Sequence, residues 1–308
     1  MNSSEKPTLD QFKGCMLGLA FGDALGAKYE GGYLERGLWF LLGQTKGRMR
    51  YTDDTQMSLD IVESILECGK LDQNHLAMQF AKSYTWSRGY GPGAAKTLKQ
   101  IKNGMSWNQA NTSQFKDGSY GNGAAMRAPV LALLYQEQKQ LLKAVHQVSV
   151  ITHTHPLAIE GAQLVSLTVH MVLLKKEPNQ IIEELLIHAK EEIYKQKLLK
   201  LKEFILNKYK VTINESKMLF GNGIAAKNSC VTAIMSAFQF INKPYLEMVQ
   251  FICKCSGDTD TIAAMAGAIW GAYNGFEVLE GINISQLENG EMIESLAETI
   301  FEYDFEKS

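Results

Sequence analysis

QFKGCMLGLAFGDALGAK, residues 11–28, decides how this chain is read. Its glycines, Gly14, Gly18, Gly22 and Gly26, recur every four positions. On a helix such positions share a face, and with no Cβ atoms that face admits a second backbone at close range. The same spacing joins membrane helices, but Lys13, Asp23 and Lys28 leave too short an apolar run for that. The spacing predicts a small-residue helix against which another segment packs tightly.

Helical signals continue from there. Residues 31–50, from Gly31-Gly32 through Gly43 and Gly47, read as an irregular loop. In DDTQMSLDIVESILECG, Met57, Ile61, Ile65 and Cys68 keep the helical period and Gly69 ends it. Helices are predicted over 72–86 and 91–103, joined by the turn at 87–92. Residues 105–123 are loop-rich. Further helices are expected from Ala124 and over 137–149 and 155–174. Residues 178–210 read as amphipathic helix, with Leu198, Leu201 and Ile205 in phase. Helices over 222–241, 245–255 and 261–275 follow, and TIAAMAGAIWGAYNG, the last of them, is expected deep in the core. With 6 prolines in 308 residues and little strand-like alternation, the chain reads as all-α. It shows no repeat, low-complexity linker or composition shift, so one domain is the simplest account.

Composition narrows the function. The 45% hydrophobic content suits a soluble globular core, and a net charge of −2 supplies no field toward nucleic acid or membrane. The stretch MNSSEKPTLDQF is polar and shows no signal-peptide pattern, and no apolar run is expected to reach membrane-spanning length. The 5 cysteines are scattered, which points to a reducing compartment, the cytoplasm (and the nucleus in a eukaryote). Cys253-x-Cys255 lacks the second half of a zinc site. The lysines between Lys190 and Lys210 read as the solvated face of a helix.

Two acidic clusters carry the chemistry. Thr52-Asp53-Asp54-Thr55 and Asp258-Thr259-Asp260-Thr261 each pack two carboxylates and two hydroxyls just before a predicted helix. Capping accounts for one acid or threonine per helix, not for four such residues in each cluster. Buried carboxylates so crowded repel unless cations neutralise them. Oxygen donors of this kind suit magnesium, manganese or calcium. Asp258 and Asp260 share a side if their segment is extended ahead of the helix, whereas adjacent Asp53 and Asp54 diverge toward different ions. The Gly-rich turns GSYGNGAAMR (118–127) and GNGIAA (221–226) can offer backbone amides to phosphate or can be plain turns. In Thr152-His153-Thr154-His155 the imidazoles lack a third soft ligand. His153 is assigned to hydrogen bonding with substrate and His155 to structure. Phe115 and Tyr120 flank the first turn, where they can hold a nucleobase or fill the core.

Taken together, GCMLGLAFGDALGAKYE, YTDDTQM, RGYGPG, GSYGNGAAMR, ITHTHPLAIEGA, FGNGIAA and SGDTDTIAAMAGAIWGAYNG resemble the ADP-ribosylglycohydrolase family. That family includes the dinitrogenase reductase-activating glycohydrolases. RGYGPG, GSYGNGAAMR and GNGIAA look most like the branch that cleaves serine-linked ADP-ribose and poly(ADP-ribose). The resemblance implies one orthogonal all-α domain over 1–308, with its core at about 12–303 and two magnesium ions in a central cleft, for which manganese can substitute. It implies Thr52, Asp53, Asp54, Asp258, Asp260 and Thr261 as metal ligands, with Asp260 touching both ions, and Glu30 as the catalytic glutamate. Gly118, Ser119, Gly121, Asn122 and the turn backbone would hold the diphosphate, and Phe115 and Tyr120 would flank adenine. Gly91 and His153 would line the distal ribose, and Asn222 and Ile224 would close the adenosine end. ADP-ribosylated protein or poly(ADP-ribose) is then the expected partner of a monomer. The segment between Glu30 and Tyr51 is shorter than the gating loop of the animal members. The approach to GSYGNG is shorter by about one residue, which bears on the register of Phe115. Arginine-linked ADP-ribose hydrolysis, or a non-catalytic ADP-ribose-binding or structural role, are the competing readings.

Overall fold

The four glycines meet a second backbone. In the computed structural model, which describes residues 6–30, 44–279 and 282–303, α1 (Leu9–Gly26) lies along the helix Thr259–Asn274. A Cβ at Gly14, Gly18 or Gly22 would come within 2.3, 2.3 and 2.1 Å of the carbonyl oxygens of Gly271, Gly267 and Ala263. At Gly26 it would lie 2.7 Å from the Cα of Asp260. The fit is reciprocal: Cβ atoms at Gly267 and Gly271 would strike the carbonyl oxygens of Gly18 and Gly14. The two backbones therefore touch over the length of α1. A capping box between Thr8 and Gln11 starts α1, and Asp10 receives the amides of Phe276 and Glu277 where the partner helix ends.

The other longer helices are α2 (Asp53–Cys68), α3 (Gln73–Ser83), α4 (Pro92–Lys102), α5 (Gln138–Ser149), α6 (Pro156–Leu173), α7 (Pro178–His188), α8 (Glu192–Leu206), α9 (Cys230–Gln239) and α10 (Tyr245–Cys255). Next come α11, the Thr259–Asn274 partner of α1, and α12 (Gly290–Glu302). The all-α expectation holds. One hydrophobic cluster runs through α1, α2, α6, α9 and α11. Within the expected loop 31–50, Gln44–Thr45 and Arg48–Met49 form a small antiparallel hairpin around Lys46 and Gly47, both at positive φ. Residues 31–43 lie outside the described residues.

Several expected helices differ, each for a local reason. The helix expected from Ala124 is a 3-10 turn over Asn122–Ala124, then turns as far as Leu131–Leu134. Pro129 removes an amide there and disfavours helical geometry at Ala128. Residues 178–210 form two helices, because the buried carboxylate of Glu160 takes the amides of Lys190 and Glu191 between them. The segment 222–241 becomes α-helical only at Cys230. Against the sequence expectation, α6 is long and apolar enough to span a membrane by length and composition. In this fold 78% of that window is buried. All 5 cysteines are free thiols.

Because the α1–α11 contact has no room for a methyl group, Gly18→Ala should lower unfolding stability by about 1–3 kcal/mol or more. Gly223, with nothing within 4 Å of a built Cβ, provides the control: Gly223→Ala should stay within about 0.5 kcal/mol. Urea denaturation of both variants checks this; equal midpoints would mean that the contact adjusts freely.

Candidate functional site

The first acidic cluster is held by a carboxylate from α1. Asp23, fully buried, accepts hydrogen bonds from the amides of Thr52 (2.9 Å) and Thr55 (3.0 Å) and from the Thr55 hydroxyl (2.6 Å). It thereby takes up amides that the start of α2 leaves unpaired. Thr52 caps α2, its Oγ1 accepting from the Asp54 amide. Arg88, ion-paired with Glu288, donates to the Tyr51 carbonyl and lies 4.2 Å from the Tyr51 ring. Gly89 follows at φ 86, and a Cβ there would lie 3.6 Å from Asp53 Oδ1.

The second cluster sits at the start of α11. Asp258 precedes the helix, but Asp260 lies within its first turn, so the two are not on one extended segment as expected. Their carboxylates nonetheless converge. An oxygen from each of Glu30, Asp258 and Asp260 falls within a group less than 4.8 Å across, the one such acidic group among the described residues. Glu30, half-buried, ends the short 3-10 turn Ala27–Tyr29 that extends α1. The clusters touch directly: the Thr261 hydroxyl donates to Asp54 at 3.2 Å, across 207 positions of sequence. Thr259 ties the start of α11 to α1 through the Gly26 carbonyl, 2.9 Å away.

Three glycine-bearing loops are stitched into one wall beside these acids. The Asn122 amide donates to the Ile224 carbonyl, and the Ala226 amide donates to the Tyr120 carbonyl. The two Gly-rich turns thus form an antiparallel bridge. The Asp258 amide donates to the Asn222 carbonyl, and the Asn222 side chain donates to the carbonyls of Cys255 and Ser256. Gly257, at φ 84, has its built Cβ 2.0 Å from that same Asn222 carbonyl, so a side chain there would part the loops. The Asn122 side chain donates to Asp258 and to Ser229, a residue the sequence reading did not single out.

Other expected site residues fall around this wall. Gly118, at φ 81, packs where a Cβ would strike Thr154. The Ser119 hydroxyl accepts from the Gly121 amide. His153 is buried behind the turn, and a Cβ at Gly121 would lie 3.3 Å from its Nε2. His155 caps α6, as a structural residue should. Phe115 and Tyr120 are 46% and 54% exposed, so neither fills the core, and Phe115 lies over Gly93. Gly91 opens α4 with open space on its Cβ side, and Ile224 is exposed. Asn222 binds the α11 loop through its side chain and carbonyl.

Burial sets the electrostatics. Asp53, Asp54 and Asp260 are pushed well above the usual carboxylate range, first by desolvation. The charge of Asp23 adds to this at Asp53 and Asp54, and that of Glu30 at Asp260. Asp258 is raised by burial, against hydrogen bonds from Asn122 and its neighbours. No ion pair joins Asp53, Asp54, Asp258 or Asp260 to a lysine or arginine among the described residues. Oxygen-only donors crowded in this way fit a hard divalent cation, which would relieve the repulsion.

Comparison with known proteins places the chain in a family. The family model for ADP-ribosylglycohydrolase matches residues 4–308. The ADP-ribosylhydrolase ARH3 of Gallus gallus is 33% identical, with 89% of this chain and 88% of that protein covered. Its Homo sapiens counterpart is 31% identical over 98% of this chain and 95% of its own. A solved structure described as an ADP-ribosylglycohydrolase-related protein complex superposes with a TM-score of 0.69 at 22% identity. It covers 95% of this chain and 97% of its own.

One acid beside the site gives a pH signature. Asp60, buried on α2, accepts from Ser83 and Gln56, and burial raises its carboxyl from 3.8 to about 7. The folded state therefore holds this proton more tightly than the unfolded state does. Its contribution is present below the ordinary value and lost as pH rises through about 7. Asp60→Asn should flatten that fall by on the order of 2–4 kcal/mol. Unfolding free energies measured across this range in both proteins check it; parallel curves would place the titration elsewhere.

Proposed function

This chain belongs to the ADP-ribosylglycohydrolase family, and we propose that it is a magnesium-dependent hydrolase releasing ADP-ribose from O-linked serine, with poly(ADP-ribose) and O-acetyl-ADP-ribose as further substrates. Membership makes it a glycosidase-type enzyme; the acceptor and the metal number are our reading. The observation that carries it is the meeting of the two acidic clusters, Thr261 on Asp54, beside the Glu30–Asp258–Asp260 group. The serine acceptor is supported by RGYGPG and GSYGNGAAMR, which look most like the serine-cleaving branch.

In this reading Thr52, Asp53, Asp54, Asp258, Asp260 and Thr261 hold two magnesium ions. Magnesium, when bound, supplies a Lewis acid that fixes ribose hydroxyls and lowers the pKa of water. Cleaving the anomeric C–O bond builds positive charge on the ribose, and the leaving oxygen needs a proton. Surrounding carboxylates favour that charge. Glu30, at the edge of the cluster, exchanges a proton with the leaving oxygen or with the attacking water. The amides of Gly118, Gly121 and Asn122 are committed to Phe115, Ser119 and Ile224. Those of Ser119 and Tyr120 are then the turn's donors to the diphosphate. Phe115 and Tyr120, being exposed, offer their faces to adenine.

Side-by-side release of ADP-ribose from serine- and arginine-modified peptides, with magnesium and with chelator, tests the reading. Release from serine alone, abolished by chelator, is expected; arginine release would move the chain to the N-glycosidic chemistry. Glu30→Gln should cut turnover by roughly 10²–10⁴-fold while ADP-ribose affinity changes little, and an unchanged rate would remove Glu30 from the reaction. Asp258→Asn with Asp260→Asn should abolish the magnesium-dependent rise in melting temperature.

A further inference from the structure

Behind the Gly-rich turn lies a buried polar chain that the chemistry above does not use. Arg127, fully buried, donates to the Gly123 carbonyl at 2.8 Å, to the Val148 carbonyl at 3.1 Å and to the Thr152 hydroxyl oxygen at 2.8 Å. Its guanidinium lies 5.0 Å from the Phe80 ring. These contacts fix its plane. Thr152 Oγ1 lies 2.7 Å from His153 Nδ1. Thr152 and His153 are themselves only 3% and 6% exposed.

The hydrogen count decides the direction of that last bond. A guanidinium only donates, so Thr152 accepts from Arg127. The hydroxyl proton then needs an acceptor, and among the described residues Nδ1 is the one within reach. Nδ1 must carry a lone pair, which leaves the proton of a neutral imidazole on Nε2. Nε2 faces the turn: Cβ atoms at Gly121 and Gly123 would stand 3.3 and 3.0 Å from it. The absence of side chains at both positions keeps that donor open to a ligand seated on the turn.

We propose that Thr152, oriented by Arg127, is a positioning residue that locks His153 as an Nε2–H donor toward an acceptor oxygen, phosphate or ribose, of the bound substrate. Burial and the charge of Arg127 also hold the imidazole neutral, pushing its pKa down to about 3. The turn then presents a directed dipole, with no charge to desolvate when the ligand binds. This rests on the reading of residues 118–122 as the ADP-ribose cradle, but the tautomer itself does not.

Two-bond ¹H–¹⁵N correlation spectra of the labelled full chain at neutral pH, with His153 assigned by loss of its signals in His153→Asn, read the tautomer directly. The wild type should show the Nε2–H pattern. Thr152→Val, which keeps the shape but has no donor for Nδ1, should show a mixture with the Nδ1–H form. Its affinity for ADP-ribose should fall roughly threefold to tenfold. Thr152→Ser should restore both, and Thr152→Ala replaces the valine variant if that one does not fold. An Nδ1–H pattern in the wild type, or an unshifted pattern in the variant, overturns the proposal. If the wild type binds no ADP-ribose, the cradle reading fails, while the tautomer arm still decides the lock.

Discussion

The contact of α1 with α11 is the constraint on which the rest depends. Two helices whose backbones touch cannot slide or roll freely, because at each glycine of the contact a carbonyl from the other helix fills the space of the missing Cβ. That rigidity is delivered to the site at the end of the contact. The last glycine of α1, Gly26, abuts Asp260, and Thr259 is tied to its carbonyl. One helix therefore sets the height and rotation of the second acidic cluster. The same helix sets the first, because Asp23 grips the amides that open α2. Glu30 follows in the turn that continues α1. Three groups of acids are thus placed by one element.

This placement opposes stability. Desolvated carboxylates at such distances repel one another, and the shift of Asp53, Asp54 and Asp260 toward the protonated form expresses that cost. A fold that holds them together regardless must draw on packing elsewhere, and the apolar interior around α1, α6, α9 and α11 is where it does so. The repulsion that disfavours the bare site is what a divalent cation would relieve. In the function proposed above, such a site beside a Gly-rich turn would serve one ligand carrying both a sugar and a diphosphate.

Much of this was legible in the sequence where the signal was local. The four-residue glycine period announced the close helix contact, although not which helix answered it. The acid and threonine clusters stood out because capping could not explain their density. Less legible were features that depend on distant partners. Asp23 reads as a charge that shortens an apolar run; only the fold turns it into the clamp on α2, and its hint was a lone acid amid small apolar residues. Arg127 lay within GSYGNGAAMR without a role, because two of its acceptors, Val148 and Thr152, come from the end of α5 and just past it. The bridge between the two Gly-rich turns joins Gly121 to Ala225, and no local pattern encodes such a pairing. The helix expected after Ala124 failed because Pro129 outweighed the apolar run around it.

The central claim is that the clusters joined by α1 form one divalent-cation centre. Calorimetric titration of magnesium into chelator-treated full chain measures this most directly. Two ions bound per chain, with both equivalents lost in Asp260→Asn, is the result the account predicts. Failure of the intact chain to bind magnesium, or binding that Asp260→Asn leaves unchanged, would contradict it.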